Sequence, residues 1–129
     1  MSEECSRVAQ ILLEQGCDHL RTRAFEAAVD AFTICTLIDP ETVEACYGRG
    51  MAHVELENWP AAESDFERCL RMQPDGVRAY IQLALLYSEL GILSRGRKYF
   101  RSALAHRPTP AERRFIEAQL EKQEQERYY

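Results

Sequence analysis

The stretch MQPDGVRAY, residues 72–80, places a proline between two segments whose apolar residues recur at helical spacing. The same arrangement occurs upstream in LIDPETVEA, residues 37–45, and downstream in AHRPTPAER, residues 105–113. The prolines are each 34 residues from the next: Pro40, Pro74 and Pro108. A spacing this regular predicts one structural unit that is used three times.

Other positions keep the same phase along the chain. An unbroken aromatic series is formed by Phe32, Phe66 and Phe100. Two further series hold small residues: Gly16, Gly50 and Ala84, and Ala28, Ala62 and Gly96. Small residues let two helices approach closely, and an aromatic ring fills the space beside them. We therefore expect the three phenylalanines to be buried between helices.

Within each unit the apolar spacing is typical of two helices joined by a short turn. Ala28, Phe32 and Cys35 follow the i, i+4, i+7 pattern of one helix face. Asn58 is expected at the N-cap of a second helix, where a proline in the first turn costs little. Gly91 is expected to adopt the left-handed conformation that ends a helix. Each unit is thus predicted to be helix, turn, helix, closed by its proline.

A last helix is predicted after the third proline. Thr109 and Glu112 have the spacing of a capping box, which predicts a helix from about residue 109 to about residue 125. Phe115, Ile116 and Leu120 are expected to form its apolar side. An amphipathic helix, with one apolar and one polar face, would cover the exposed end of a stack of repeats.

This pattern resembles the tetratricopeptide repeat family, whose 34-residue unit has small residues, an aromatic and a closing proline in this order. The resemblance covers repeats at 9–42, 43–76 and 77–110 within one domain of residues 1–129. It implies an all-α fold, a right-handed superhelix (α-solenoid) of three helix-turn-helix repeats plus a C-terminal capping helix. Gln15 and Arg49 depart from the pattern, since the family usually has leucine there, and Cys46 replaces a tryptophan.

The resemblance also implies a concave groove lined by the first helix of each repeat, which in the family binds a segment of another protein. The residues expected to face this groove or its edge are mostly apolar: Leu13, Cys17, Leu20, Glu44, Tyr47, Met51, Val54, Arg78, Ile81, Leu85 and Ser88. An apolar groove suits an apolar peptide or helix of a partner. Alternatively, the protein covers these residues itself, through tight curvature or self-association.

Some members of the family bind the C-terminal carboxylates of heat-shock chaperones through a clamp of lysine, asparagine and arginine. The positions that match this clamp hold Leu13, Cys17, Gly48, Arg78 and Gln82. Only Arg78 is cationic, so a carboxylate clamp is not expected.

We therefore interpret the chain as a non-catalytic protein–protein interaction module, an adaptor or scaffold that binds an apolar segment of a partner. The alternative is a dedicated chaperone for a secreted protein. The chain is similar in size, acidity and groove character to the translocator chaperones of bacterial type III secretion. It lacks the longer N-terminal helical extension expected of them.

Composition excludes several other classes of protein. A net charge of −5 argues against a nucleic-acid partner, because phosphate binding needs a basic field. No apolar run approaches the roughly 20 residues that span a bilayer, so membrane insertion is not expected. The opening MSEECSRVAQ is unlike a secretory signal, and an odd number of cysteines, five, favours free thiols in a reducing compartment. A cytoplasmic location follows as an expectation.

The remaining polar features give weaker hypotheses. Cysteines and histidines show no local ligand spacing, so no metal, cofactor or catalytic site is expected. The run SRGRKYFRS, residues 94–102, is interpreted as a solvated outer face, with a local site for an acidic partner as the alternative. Tyr128 and Tyr129 form either a recognition tail or a frayed end.

Overall fold

The computed structural model describes residues 1–126, which form seven α-helices and contain no β-strand. The helices are α1 (Glu3–Arg21), α2 (Phe25–Ile38), α3 (Val43–Glu55), α4 (Trp59–Met72), α5 (Val77–Glu89), α6 (Leu93–Ala105) and α7 (Pro110–Glu126). The predicted all-α fold is confirmed, and α7 occupies the range predicted for the last helix. The hypotheses on Tyr128 and Tyr129 lie outside the described residues.

The helices belong to two compact units. The first unit is Met1–Gln73 and contains α1 to α4, and the second begins at Pro74 and contains α5 to α7. In the first unit α1 packs on α2, α2 on α3, and α3 on α4. In the second unit α5 packs on α6, and α6 on α7.

The turn inside each helix pair has one geometry, repeated every 34 residues. Arg23, Glu57 and Gly91 all have positive φ, at 63°, 58° and 80°. The residue that follows each of them donates its N–H to a carbonyl five residues back, at 2.8 Å in all three turns. These bonds define the Schellman motif, which satisfies carbonyls left open at a helix end. The left-handed conformation predicted for Gly91 is confirmed, and two turns adopt it without glycine.

The prolines end the second helix of each pair. The three helices stop at Ile38, Met72 and Ala105, two or three residues before a proline. A proline ring fixes φ, lacks an N–H and restricts the preceding residue to extended backbone, so the helix cannot continue through it. The sequence prediction for these three boundaries is confirmed.

The phenylalanines of the 34-residue series lie where helices approach most closely. Phe32, Phe66 and Phe100 are fully buried, as predicted. In the first unit the ring of Phe32 lies against the backbone of Gly16 in α1 and of Gly48 in α3. A Cβ atom at either glycine would be 2.5 Å from a ring carbon. The small residues are therefore required by the ring beside them.

The last helix begins as predicted but buries a different face. The Thr109 N–H donates to Glu112 Oε1 at 2.8 Å, and the Glu112 N–H donates to Thr109 Oγ1 at 3.1 Å, which completes the capping box. Ile116 is fully buried, whereas Phe115 is 41% exposed. The prediction for Phe115 was wrong because adjacent helical residues point about 100° apart. The covered positions are spaced i, i+4, i+7: Ile116, Leu120 and Gln123.

One helix of the first unit exposes apolar residues that the repeat pattern elsewhere buries. Ile11 of α1 is 53% exposed. Its counterparts 34 and 68 residues later, Ala45 of α3 and Ala79 of α5, are buried. The same repeat position is thus exposed in the first repeat and buried in the other two.

Replacing Phe66 with alanine should lower the free energy of unfolding by about 3–5 kcal/mol, because the ring is fully buried against Gly50 and leaves a cavity. Urea denaturation followed by circular dichroism measures this loss. The matched control is Phe115→Ala, which removes a half-exposed ring and should cost much less. Equal losses for the two variants would contradict the packing described above.

Candidate functional site

The first unit carries two parallel rows of apolar side chains on its first helices. Leu13, Cys17 and Leu20 lie on α1, and Tyr47, Met51 and Val54 lie on α3, each set spaced i, i+4, i+7. That spacing places each set on one face of its helix. We call these six residues the apolar face. α1 and α3 are in contact, so the two rows are neighbours.

The apolar face is partly embedded in the core. Leu13 and Leu20 are half-buried and pack against the cluster that contains Ala9 and Phe32. The ring of Tyr47 meets the ring of Phe66 edge to face, with 5.7 Å between centroids. Met51 and Val54 are half-buried, and Cys17 is exposed. Leu13, Leu20 and Tyr47 are therefore packed against the core, while part of the apolar face stays accessible.

A polar cleft of about 560 Å³ adjoins the apolar face in the first unit. Its lining contains Leu13, three carboxylates and no cation: Ser6, Ala9, Gln10, Leu13, Cys35, Asp39, Glu41, Thr42 and Glu44. The Oδ1 atom of Asp39 accepts the Glu41 N–H at 3.3 Å. Glu44, predicted at the edge of the groove, is exposed on this rim. The edge of the apolar face is thus acidic.

In the second unit the corresponding residues are covered by the chain itself. Arg78 is exposed, but Ile81 is only 8% exposed and lies in one cluster with Ile116 of α7. Leu85 and Leu120 pack against the same cluster. On α5 the predicted groove residues Ile81 and Leu85 therefore pack together with residues of α7. A charged residue at position 85 would disturb this core.

A hydrogen bond continues the contact between α7 and α5. The Nε2 atom of Gln123 donates to Ser88 Oγ at 2.9 Å, and Ser88 Oγ donates to the carbonyl of Ala84 at 2.8 Å. Gly96 of α6 gives the hydroxyl its room, since a Cβ there would be 2.7 Å from Ser88 Oγ. Gln123 is 5% exposed, and its Oε1 atom accepts no hydrogen bond from the residues that the structure describes, 1–126.

A buried ion pair connects three helices of the first unit. Arg49 of α3 and Asp65 of α4 have side chains that are 15% and 7% exposed. The guanidinium donates from Nη2 to Asp65 Oδ1 at 2.7 Å, and from Nε to both carboxylate oxygens at 3.0 and 3.1 Å. Its Nη1 atom donates to the hydroxyls of Thr33 and Thr36 on α2, at 3.3 and 3.2 Å. Asp65 raises the pKa of Arg49, mainly through the hydrogen bonds, so the guanidinium stays protonated.

His53 lies at the edge of this ion pair. Its Nε2 atom is 4.0 Å from Asp65 Oδ2, and its Nδ1 atom is 3.4 Å from the side-chain nitrogen Nδ2 of Asn58. Burial lowers the pKa of His53; the charge of Asp65 opposes that shift and that of Arg49 adds to it. The ring is therefore a neutral neighbour of the pair near pH 7. Asn58 occupies the predicted N-cap position, but its side chain makes no capping bond.

The sequence alone indicates only part of the ion pair. Arg49 departs from the family's leucine, whereas the family pattern does not mark Asp65. In the third repeat the two equivalent positions hold Leu83 and Tyr99. Asp65 places a carboxylate at a position that holds Ala31 and Tyr99 in the other two repeats, and this is the signal that could have identified the pair.

Replacing Arg49 with leucine should lower the free energy of unfolding by about 3–5 kcal/mol, because it leaves the Asp65 carboxylate buried without a partner. The double variant Arg49→Leu with Asp65→Ala should be more stable than Arg49→Leu alone, since it removes the orphaned charge. Urea denaturation of wild type, both single variants and the double variant gives the coupling. If the losses of the two single variants add up to that of the double variant, Arg49 and Asp65 have no coupling free energy, which would contradict the ion pair.

The five thiols are free and fall into two classes. Cys35, Cys46 and Cys69 are buried, whereas Cys5 and Cys17 are exposed. Burial raises the pKa of all three buried thiols, and that of Cys69 rises to about 12. The thiols of Cys35 and Cys69 donate to the carbonyls of Ala9 and Val43, at 3.3 and 3.8 Å. Within residues 1–126, no group of three Cys, His, Asp or Glu side chains could hold a metal ion.

At pH 8 the native protein should react rapidly with a disulfide reagent such as DTNB at Cys5 and Cys17 alone. The other three thiols are inaccessible and remain protonated, so they should react only in denaturant. Counting the thiolate released with and without denaturant checks this. The control is the Cys5→Ser, Cys17→Ser variant, which should show no fast phase. A third fast thiol in the native protein would contradict the burial described here.

Two family models with the description tetratricopeptide repeat match residues 18–81 and 77–109. Together these matches cover well over half of the chain, which belongs to the tetratricopeptide repeat family. Across residues 1–126, no helix is long and apolar enough to cross a membrane.

The chain is similar to parts of longer proteins. It is 25% identical over 99 residues to the E3 ubiquitin-protein ligase CHIP of Arabidopsis thaliana, which covers 77% of this chain and 36% of that protein. It is 30% identical over 67 residues to the peptidyl-prolyl cis-trans isomerase FKBP4 of Homo sapiens, which covers 52% of this chain and 15% of that protein. The chain thus spans far less than the full length of either relative.

A solved structure of similar extent shows the same fold. The first TPR of Spaghetti (RPAP3), bound to the HSP90 peptide SRMEEVD, matches with a TM-score of 0.84 and 22% identity. The match covers 96% of this chain and 96% of that one. At this level of identity the likeness concerns the fold.

Proposed function

We propose that this chain is a protein-interaction module, acting as an adaptor or scaffold, whose first unit binds an apolar segment of a partner protein on the apolar face. The observation that carries the proposal is the pair of parallel rows on α1 and α3. Their side chains are apolar, fixed from beneath and still partly accessible. Burying accessible apolar surface against a partner contributes roughly 25 cal/mol per Å² before the costs of association.

Membership of the tetratricopeptide repeat family supports a protein as the ligand. The solved Spaghetti domain holds a peptide of HSP90. Extended peptides and amphipathic helices are both common guests of helical grooves. The packing of Leu13, Leu20 and Tyr47 against the core favours binding, because these side chains lose less freedom when the partner docks.

The charge around the apolar face supports a partner segment that is not acidic. Asp39, Glu41 and Glu44 line the adjoining cleft, and Leu13, Cys17 and Gly48 carry no charge. Carboxylates this close repel a segment such as SRMEEVD, whose own carboxylates would find no cation in this part of the first unit. We therefore propose an apolar, neutral or weakly basic segment. The further alternative, a chaperone for a secreted protein, stays a prediction.

Replacing Cys17 or Met51 with glutamate should abolish capture of the partner, because each change places a charge against an apolar guest. The matched control is Ser64→Glu, which adds the same charge at an exposed position of α4. Tagged variants are used to recover partners from native lysate, and circular dichroism verifies that each variant is folded. A synthetic SRMEEVD peptide should not bind the wild-type protein.

A second probe needs no change of charge. In a Cys5→Ser background, a bulky maleimide on Cys17 should block capture of the same partner, since Cys17 is the exposed thiol of the apolar face. Folded glutamate variants that retain every partner would overturn the proposal. A changed oligomeric state in place of lost capture would assign the face to self-association.

A further inference from the structure

The two compact units carry net charges of opposite sign. Residues 1–73 contain 14 Asp and Glu against 6 Lys and Arg, whereas residues 74–129 contain 7 against 10. With histidines neutral, the net charge is −8 in the first range and +3 in the second. The overall value of −5 therefore conceals a basic region in the second unit.

The basic charge of the second unit is concentrated on α6. This helix contains no carboxylate and four cations: Arg95, Arg97, Lys98 and Arg101. Arg97, Lys98 and Arg101 are spaced i, i+1, i+4, so they share one side of the helix. That side lies away from the buried residues of α6, which are Gly96, Phe100 and Ala103. We call Arg97, Lys98 and Arg101 the cationic face.

The cationic face has no counter-ion within the described part of the chain. Lys98 and Arg101 are exposed and Arg97 is half-buried, and none of the three takes part in an ion pair there. The first two carboxylates that follow α6 in the sequence lie on α7 and are already engaged. Glu112 completes the capping box, and Glu117 pairs with Arg113 at 3.7 Å.

A ladder of aromatic side chains fixes α6 on α5. Tyr80 stacks on His106 at 5.1 Å, Tyr87 stacks on Tyr99 at 5.6 Å, and Tyr80 lies 6.4 Å from Tyr99, all between ring centroids. The guanidinium of Arg95 lies over the Tyr87 ring at 4.9 Å. Arg95 is thus held by a ring, while the helix that carries the cationic face is a rigid platform.

We propose that the cationic face binds an acidic protein segment in extended conformation. Side chains four apart on a helix have Cβ atoms about 5–6 Å apart. Alternate side chains of an extended chain recur at roughly 6.5 Å. Arg97 and Arg101 can therefore each meet one of two alternate carboxylates, with Lys98 beside them. Arginine favours such contacts because its planar group binds a carboxylate through two parallel hydrogen bonds.

The charge of the rest of the chain selects a short peptide over a larger polyanion. A nucleic acid or an anionic membrane extends well beyond three side chains, and the net charge of −5 of the whole chain disfavours so large a polyanion. Screening limits electrostatic attraction to about 8–10 Å at physiological ionic strength, so a short acidic segment on α6 responds mainly to the cations that it contacts. The surface is distinct from the apolar face of the first unit and does not depend on the function proposed for that face.

The test uses the full chain and a fluorescent peptide of alternating glutamate and serine, with a lysine and serine peptide as its counterpart. Fluorescence anisotropy is measured at about 20 mM and about 200 mM NaCl, a range over which screening changes strongly. The Lys98→Gln, Arg101→Gln variant should weaken binding of the acidic peptide at least about fivefold. The matched control, Arg7→Gln with Arg71→Gln, loses the same charge from exposed positions of the first unit and should bind within about twofold of wild type.

Several results would overturn the proposal. One is that both double variants weaken binding of the acidic peptide equally, which would indicate a response to net charge alone. Another is that the acidic peptide does not bind the wild-type protein at low salt. Tighter binding of a single-stranded oligonucleotide or of anionic lipid vesicles than of the acidic peptide would assign the face to another class of partner. Circular dichroism establishes that the variants are folded, since their exposed positions should leave stability unchanged.

Discussion

Contact between a phenylalanine ring and glycine backbones holds the first unit together. The ring of Phe32 fills the space left by the missing side chains of Gly16 and Gly48, and a methyl group at either position would be 2.5 Å from the ring. Because α1, α2 and α3 meet at this ring, it sets the distance between the first helices of two repeats. The separation of Leu13 from Tyr47 on the apolar face therefore follows from the core beneath it.

Two kinds of chemistry fix helices at equivalent repeat positions. In the first unit, Arg49 binds Asp65 and two threonine hydroxyls, so directional hydrogen bonds orient three helices. In the second unit, the same positions hold a buried Leu83 and the stacked ring of Tyr99. A buried ion pair is weak evidence for added stability, since desolvation offsets much of its attraction. Because its hydrogen bonds are directional, the pair has a clearer role in orienting α2, α3 and α4 relative to one another.

The repeat made most of the fold predictable, because helix ends and close contacts depend on a few residue types. Prolines, the phenylalanine series and the capping box of Thr109 each act locally or at a fixed spacing. The covering of Ile81 and Leu85 by α7 was only one of two alternatives, because which face of a polar helix docks depends on tertiary packing. The burial of Ile116 with Gln123, in place of Phe115, has the same cause. The Arg49–Asp65 pair joins residues on separate helices, so the repeat pattern can mark each unusual charge but not the contact between them.

The exposure of Ile11 has a consequence for protein engineering. Repeat proteins gain stability from each interface between neighbouring repeats. The counterpart of Ile11 in α3, Ala45, is buried in one cluster with Ala9 and Phe32 of the first repeat, whereas the same position of α1 is exposed. A consensus helix pair fused ahead of residue 1 would find a hydrophobic surface ready to receive it. Such a fusion should raise Tm without altering any residue of α1.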